Sequence, residues 1–254
     1  MSNLFEELDH CHTALGELVL RRRRYIGMDT ELYEVKLDEE FLMSSLFTTS
    51  EEALGRIGIR HALHTRAPES GEPVSLEDRQ LDIVVGGLGL GYTAAAVLES
   101  PAVRSLLVVE YLEPVIDWHR RGLLPTSATL DTDTRCRFVS ADFFACAASD
   151  AGFDPDRPGR RFDAVLVDID HSPASWLDPS NDSFYRIEGL RGVKQHLLPG
   201  GVFGLWSNEP PDPEFRSRMT SAFASEQAEP VVFRNPLQNN TVTQTIYIGV
   251  NEAE

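Results

Sequence analysis

Four acids in this chain stand where apolar runs end. Glu110 closes Ser105-Leu106-Leu107-Val108-Val109-Glu110, Asp142 follows Arg137-Phe138-Val139, and Asp168 closes Phe162-Asp163-Ala164-Val165-Leu166-Val167-Asp168, with Asp170 and His171 directly beyond it. In open α/β sheets a ligand sits in the crevice beyond the carboxyl ends of the strands, so acids placed there converge on it. If the chain stays extended past Asp168, Asp170 shares its face at period two, and the two carboxylates with His171 beside them make a proton-accepting cluster. The competing reading is that one of the two aspartates caps the next turn.

The element that must position these acids is Leu81-Asp82-Ile83-Val84-Val85-Gly86-Gly87-Leu88-Gly89-Leu90-Gly91-Tyr92-Thr93-Ala94. A β-branched apolar run, a glycine turn and an alanine-rich segment read as strand, turn and helix. Glycines there admit positive φ and let a ligand reach main-chain amides, while the helix N-terminus offers unpaired N–H groups. Gly89-x-Gly91-x-x-Ala94 satisfies the dinucleotide fingerprint, and Gly87-x-Gly89-x-Gly91 satisfies the looser pattern of S-adenosylmethionine (SAM) enzymes. The loop alone does not name its ligand: it suits a nucleotide or nucleoside, with Gly86, Gly87, Gly89 and Gly91 as candidate binding residues, and the competing reading is a tight strand-to-helix turn followed by a solvated acid. Glu110, about twenty residues on, is placed to accept from ribose hydroxyls. Asp142 is placed either to accept from an adenine amino group, with Phe143 over the ring, or to serve as a turn residue.

Composition bounds the rest. A chain of 254 residues with 42% hydrophobic content can bury one good core and a small appendage. A formal net charge of −17 excludes a phosphate backbone as an expected partner and suits a cationic small substrate. The one basic cluster, Arg21-Arg22-Arg23-Arg24, reads as a strand end or subunit contact. No apolar run has the length of a membrane span, and the acidic start Met1-Ser2-Asn3-Leu4-Phe5-Glu6-Glu7 is unlike a secretory leader, so a cytoplasmic protein is expected. Cys11, Cys136 and Cys146 lack metal-ligand spacing; no metal is expected.

Residues 15–21 and 32–37 alternate as strands around the turn Gly27-Met28-Asp29-Thr30, and a helix follows with Ser50 as N-cap and Ala53, Leu54, Ile57 and Leu63 inward. The polar stretch 65–78 reads as a linker, dividing a β-rich and helical extension, 1–75, from a nucleoside-binding domain, 76–254. Strands and helices then alternate; a helix ending at Leu198 is stopped by Pro199-Gly200-Gly201, and residues 202–206 form the fifth strand. The last two strands, Val231-Val232-Phe233 and residues 243–250, are joined too closely to be parallel. The expected class is α/β: a mostly parallel Rossmann-like sheet with an antiparallel last strand and a small N-terminal β-element.

From Leu81 to Gly201, and more weakly throughout, the chain resembles the spermidine synthase (polyamine aminopropyltransferase) family, which has the class I SAM-methyltransferase fold behind a small β-domain. The resemblance is carried by Val85-Gly86-Gly87-Leu88-Gly89-Leu90-Gly91, Val108-Val109-Glu110, Ala141-Asp142-Phe143, the run ending at Asp168, Ser183-Phe184-Tyr185, Leu198-Pro199-Gly200-Gly201 and the Leu15-Gly16-Glu17 start. It implies a decarboxylated SAM donor with its ribose at Glu110 and adenine at Asp142, an amine acceptor activated near Asp168, and a homodimer. Tyr185, Trp206 and Asn208 fall where acceptor contacts are expected, or are core aromatics and a turn asparagine.

The family's loop aspartate is replaced by Gly89, its helix-start tyrosine by Thr48-Thr49-Ser50-Glu51, its Pro-Thr-Tyr-Pro-Ser-Gly segment by Asn235-Pro236-Leu237-Gln238-Asn239-Asn240, and its paired-aspartate signature by Asp168-Ile169-Asp170-His171-Ser172-Pro173. The donor-nucleoside half is kept and the polyamine half is not. Aminopropyl transfer therefore stands beside methyl or other alkyl transfer from SAM, which Gly89 favours, and beside a nucleoside-binding protein without catalysis. A dehydrogenase is disfavoured, because no distinct second domain is in evidence for a hydride acceptor.

Overall fold

The computed structural model describes residues 4–25, 30–65, 75, 79–235 and 240–252. The turn at 27–29, most of the expected linker and residues 236–239 lie outside them.

Strands β1 (Phe5–Thr13), β2 (Gly16–Tyr25), β3 (Thr30–Leu37) and β4 (Glu40–Ser44) form an antiparallel sheet in the order β1-β2-β3-β4. Alternation buries Leu18 and Leu20 of β2 and Val35 and Leu37 of β3 on one face. The arginine run is consumed within this sheet: Arg21 and Arg23 donate to the two oxygens of buried Glu34, at 2.7 and 2.8 Å, and Arg22 donates to Glu6 at 2.6 Å. Two guanidiniums on one carboxylate offset the cost of burying it. Edge strands β1 and β4 escape the sequence reading because β1 is polar on both faces and β4 is short.

Helix α1 (Thr49–Thr65) begins one residue before the expected cap. The Thr48 carbonyl accepts from Glu52 N–H at 3.0 Å. Ser50, inside the first turn, is buried and its hydroxyl accepts from the Trp206 indole at 2.9 Å. Leu54 and Ile57 are buried as expected, while Ala53 and Leu63 are only half-buried. Two glycines let α1 lie unusually close to its neighbours. A Cβ on Gly55 would stand 2.8 Å from the Thr93 carbonyl, and one on Gly58 would stand 2.5 Å from Leu166.

The main sheet contains β5 (Leu81–Gly86), β6 (Val103–Glu110), β7 (Cys136–Ser140), β8 (Phe162–Val167), β9 (Leu197–Ser207), β10 (Ser225–Asn235) and β11 (Asn240–Val250). Its order is β10-β11-β9-β8-β5-β6-β7; β5 to β9 are parallel, and β11 runs antiparallel to both β9 and β10. Around it lie α2 (Tyr92–Leu98), α3 (Glu113–Arg120), α4 (Ser127–Thr132), α5 (Phe143–Ala148), α6 (Ile187–Lys194), α7 (Pro213–Ala222) and a 3-10 turn (Pro179–Tyr185). Each face has its own core: Leu54, Ile83, Val85, Val97, Val108 and Trp118 on one, and an aromatic layer of Phe143, Phe153, Phe162, Phe184, Phe203 and Phe215 on the other.

Pro199-Gly200-Gly201 does not stop a helix. Helix α6 ends at Lys194, and the three residues lie inside β9, where the partner of Phe162 is Leu197 and that of Ala164 is Val202. A bulge absorbs them, with Gly200 at φ 71°. Helix α7 carried a legible signal that the sequence reading passed over: Asp212 accepts from Glu214 and Phe215 N–H, with Pro213 at the first helical position.

Candidate functional site

The loop between β5 and α2 is stitched to the strands on either side of β5. Gly87 N–H donates to the Val109 carbonyl at 2.9 Å, and Asp168 N–H donates to the Gly86 carbonyl at 2.8 Å. Gly87 is at φ 89°, and a Cβ there would lie 2.1 Å from the Asp168 carbonyl oxygen, so only glycine allows the ends of β5 and β8 to come this close. His119, buried on α3, donates from Nε2 to the Gly89 carbonyl at 2.9 Å, and Thr126 donates to that of Leu90 at 2.6 Å. Burial lowers the His119 pKa, which keeps the imidazole neutral while it holds the loop.

Glu110 closes the loop from the other side. Its two oxygens accept from Leu88 and Leu112 N–H, both at 2.8 Å, while burial raises its pKa against those bonds. The Gly89 and Tyr111 N–H groups also act on this carboxylate, which ties it to the loop and to the end of β6.

Two cavities open above these strand ends. The first, about 220 Å³, is lined by Gly87, Gly89, Glu110, Asp142, Phe143, Phe144, Asp168 and the loop after β8, and roofed by Leu15, Leu18, Leu42 and Met43 of the N-terminal sheet. The second, about 340 Å³, is lined by Phe41, Phe47, Glu51, Leu90, Gly91, Tyr92, Asp168, His171, Trp206, Asn208 and Gln244. Leu42, Met43, Gly89, Asp168, Ile169 and Leu177 border both, so the cavities adjoin at Asp168. Five carboxylates line the two, from Glu51, Glu110, Asp142, Asp168 and Asp178, and among the described residues no Lys or Arg does.

Asp168 is at the junction with its Oδ2 accepting from Thr93 Oγ1 at 2.6 Å. Burial raises its pKa. Glu51 faces the second cavity, and burial together with the charge of Asp168 raises its pKa too. Asp142 caps α5, its Oδ1 accepting from Phe144 and Ala145 N–H at 2.8 and 3.1 Å, and it also lines the first cavity, so the turn reading holds and the cap leaves the residue in the cavity wall. Phe143 and Phe144 both line this cavity, Phe143 buried, stacked on Phe153 at 4.9 Å and filling the space beside Gly86, and Phe144 half-buried.

The expected convergence of Asp168 with Asp170 does not occur. Strand β8 ends at Val167, and Asp170 turns into the loop, where it accepts from Leu177 N–H at 2.7 Å, Asn181 Nδ2 at 3.1 Å and the Tyr185 hydroxyl at 2.9 Å. Asp170 and Tyr185 line neither cavity; together they hold the segment from Asp170 to Tyr185 in shape, and Tyr185 is a core aromatic. His171, Trp206 and Asn208 do line the second cavity. Glu51, Met43, Thr93, Phe144 and Gln244 were not foreseen, since each reaches the site from an element whose sequence shows only ordinary helix or strand patterning.

Met43 packs against the loop at Gly89. At Gly89 the backbone is left-handed, φ 47°, and a Cβ would lie 2.8 Å from Met43 Sδ. The tip of the Met43 side chain, from β4, thus lies where a Cβ at position 89 would stand.

The chain matches no protein-family model. Among solved structures it is similar to spermidine synthase from Thermotoga maritima, with a TM-score of 0.67 and 14% identity over 98% of this chain and 73% of that one. A spermidine synthase bound to the transition-state analogue AdoDATO gives the same values. A probable spermidine synthase from Corynebacterium glutamicum superposes with a TM-score of 0.59 at 15% identity, over 96% of this chain and 79% of that one. With β7, β6, β5, β8 and β9 parallel, β11 reversed beside them and a four-stranded sheet in front, this chain has the Rossmann-like class I SAM-methyltransferase fold in the form that spermidine synthases have it.

Proposed function

We propose that the protein is a transferase that moves an aminopropyl group from decarboxylated SAM to a small amine. The observation that carries this reading is the charge of the two adjoining cavities, five carboxylates and no Lys or Arg among the described residues. A donor bearing a sulfonium and an ammonium, and an acceptor arriving as an ammonium, are both favoured there, whereas the carboxylate of intact SAM meets only like charge.

In this reading the first cavity takes the nucleoside. Glu110 accepts from the ribose hydroxyls, Asp142 accepts from the adenine amino group through the oxygen not used for capping, and Phe144 contacts the ring. The sulfonium supplies an activated carbon and a neutral thioether leaving group. Asp168, at the junction, takes a proton from the acceptor ammonium, whose ordinary pKa of roughly 10.4 otherwise keeps its lone pair occupied at neutral pH. Alignment of the two ligands across the shared wall contributes much of the rate.

Methyl transfer from SAM is the second reading, supported by Gly89 and Met43, which leave the loop without a carboxylate for the donor's amine. Calorimetric titration of decarboxylated SAM, SAM, methylthioadenosine and S-adenosylhomocysteine separates the two. Tighter binding of the decarboxylated donor and methylthioadenosine supports aminopropyl transfer; preference for SAM and S-adenosylhomocysteine refutes it. A nucleoside-binding protein without catalysis would show no turnover of either donor.

A further inference from the structure

Ser50, buried in the first turn of α1, does not itself line the second cavity, but three side chains that do line it converge on its hydroxyl. The Trp206 indole N–H donates to Ser50 Oγ at 2.9 Å, Glu51 Oε2 lies 2.8 Å from it and Gln244 Oε1 lies 2.5 Å from it. The Gln244 amide nitrogen in turn donates to Asn208 Oδ1 at 2.6 Å. A continuous chain of hydrogen bonds thus joins the Glu51 carboxyl to the Asn208 amide, and both of its ends face the cavity.

An indole N–H only donates, and the Ser50 hydroxyl has one proton. It donates to Gln244 or to Glu51 but not to both, and the other must donate to it, because two buried oxygens at this separation repel without a proton between them. Two arrangements satisfy every partner. In the first, which has the amide orientation of the structure, Ser50 donates to Gln244 Oε1 and a protonated Glu51 donates to Ser50; Gln244 donates to Asn208, whose amide nitrogen is left for the cavity. In the second, ionised Glu51 accepts from Ser50, and the Gln244 amide turns over to donate to Ser50. Its carbonyl then accepts from Asn208, whose own carbonyl is left for the cavity. The charge on Glu51 decides whether Asn208 offers a ligand a donor or an acceptor.

We propose that Ser50 and Gln244 couple Glu51 to Asn208, so that the second cavity selects an amine that brings its ammonium to Glu51 and a hydrogen-bond donor to Asn208. Calling that amine the acceptor rests on the alkyl-transfer reading above. A cation at Glu51 favours the ionised carboxylate, and the carboxyl proton leaves to solvent. The Ser50 hydroxyl then turns towards Glu51, the Gln244 amide follows, and Asn208 presents its carbonyl. A ligand whose far end only accepts hydrogen bonds meets an oxygen there, whereas a hydroxyl or a further N–H donates to it. Glu51 and Asn208 touch the ligand in this scheme, and Ser50 is a positioning residue that acts through them.

The titratable groups around Glu51 are Glu52 on the same helical turn, Asp168 beyond β8, Tyr92 on α2 and His171 in the cavity wall. The test is calorimetric titration, into the protein saturated with methylthioadenosine, of ω-amino alcohols of three to six carbons and of their methyl ethers, which keep the oxygen and lose its proton. At the best-fitting length the alcohol should bind at least tenfold tighter than the ether. Ser50→Ala and Gln244→Met should each cut that preference below threefold, and Ser50→Thr, which keeps the hydroxyl, should retain it. Ser50 does not line the cavity, so a preference set by size alone survives Ser50→Ala. In nitrogen-15 NMR spectra of the free protein, the Trp206 indole and Gln244 amide signals should move together as pH is raised from about 4 to 9, in the unmodified protein and in His171→Gln but not in Glu51→Gln. Equal or tighter binding of the ether at every length overturns selection of a donor. A preference undiminished in Ser50→Ala and Gln244→Met, or signals that titrate unchanged in Glu51→Gln, overturn the coupling. Methylthioadenosine affinity within threefold of the unmodified protein shows each variant to be folded. If methylthioadenosine does not bind at all, the alkyl-transfer reading fails separately, and titrating the amines alone judges the coupling by the same criteria.

Discussion

Replacing Gly87 by alanine tests the junction on which the site depends, and Gly122→Ala is its built-in control. Both glycines are left-handed, at φ 89° and 69°, but a Cβ on Gly122 meets nothing within 4 Å, whereas on Gly87 it meets the Asp168 carbonyl oxygen at 2.1 Å. Alanine at 122 therefore incurs only the conformational penalty, about 1 kcal/mol. Alanine at 87 incurs that penalty and must also push apart the ends of β5 and β8. The bonds at risk are Asp168 N–H to the Gly86 carbonyl and Gly87 N–H to the Val109 carbonyl. At about 1 kcal/mol each, they bring the loss to about 3 kcal/mol. For a chain of this length that is roughly 3 °C in Tm for Gly122→Ala and roughly 9 °C for Gly87→Ala. Urea unfolding with methylthioadenosine titration on the same samples gives both stability and site integrity. Equal destabilisation by the two substitutions would refute the close approach of Gly87 to Asp168, and full nucleoside affinity in Gly87→Ala would refute its part in shaping the site.

Asp168→Asn should lower the transfer rate by about two to four orders of magnitude while leaving methylthioadenosine affinity within about threefold, because the amide oxygen still accepts from Thr93; steady-state kinetics beside calorimetry checks both. Gly89→Asp alone should destabilise the fold and gain no donor affinity, whereas Gly89→Asp with Met43→Ala should bind decarboxylated SAM about tenfold tighter, an increment of about 1.4 kcal/mol, by giving its ammonium a carboxylate. Acid unfolding should begin at two buried aspartates away from the site. Burial opposes ionisation of Asp82 and Asp154, but Arg104, Ser105 and Arg160 around the first, and Arg160 and Arg137 around the second, hold each at about 2. Their folded pKa values lie below the unfolded ones, so the stability they contribute is present above about pH 4 and is lost as pH falls towards 2, about 2 kcal/mol for each. Asp82→Asn should flatten that part of a stability-versus-pH curve measured by urea melts.

The first cavity was legible in the sequence because the residues named for it lie on one local unit each. A glycine turn after a strand, an acid at the end of the next strand and a helix-capping aspartate are short-range patterns, and the structure brings Gly87, Gly89, Glu110, Asp142 and Asp168 to one cavity. The second cavity was legible only in part: Trp206, Asn208 and His171 line it, whereas Asp170 and Tyr185 turn away into a loop. Period-two spacing predicts a shared face only while the backbone stays extended, and β8 ends before Asp168.

What the sequence determined by itself was therefore the alternation of strands and helices from β5 to β9, the antiparallel last pair, and the acids that a parallel sheet must present at its carboxyl edge. Hydrophobic period and turn chemistry act over a few residues and need no knowledge of the partner strand. Only the tertiary structure decided that Glu51 stands with Asp168, that Met43 fills the space above Gly89, and that Pro199-Gly200-Gly201 bulges a strand instead of ending a helix. Each of these depends on how closely two elements distant in the chain approach, and that distance is set by packing across the sheet rather than by local preference.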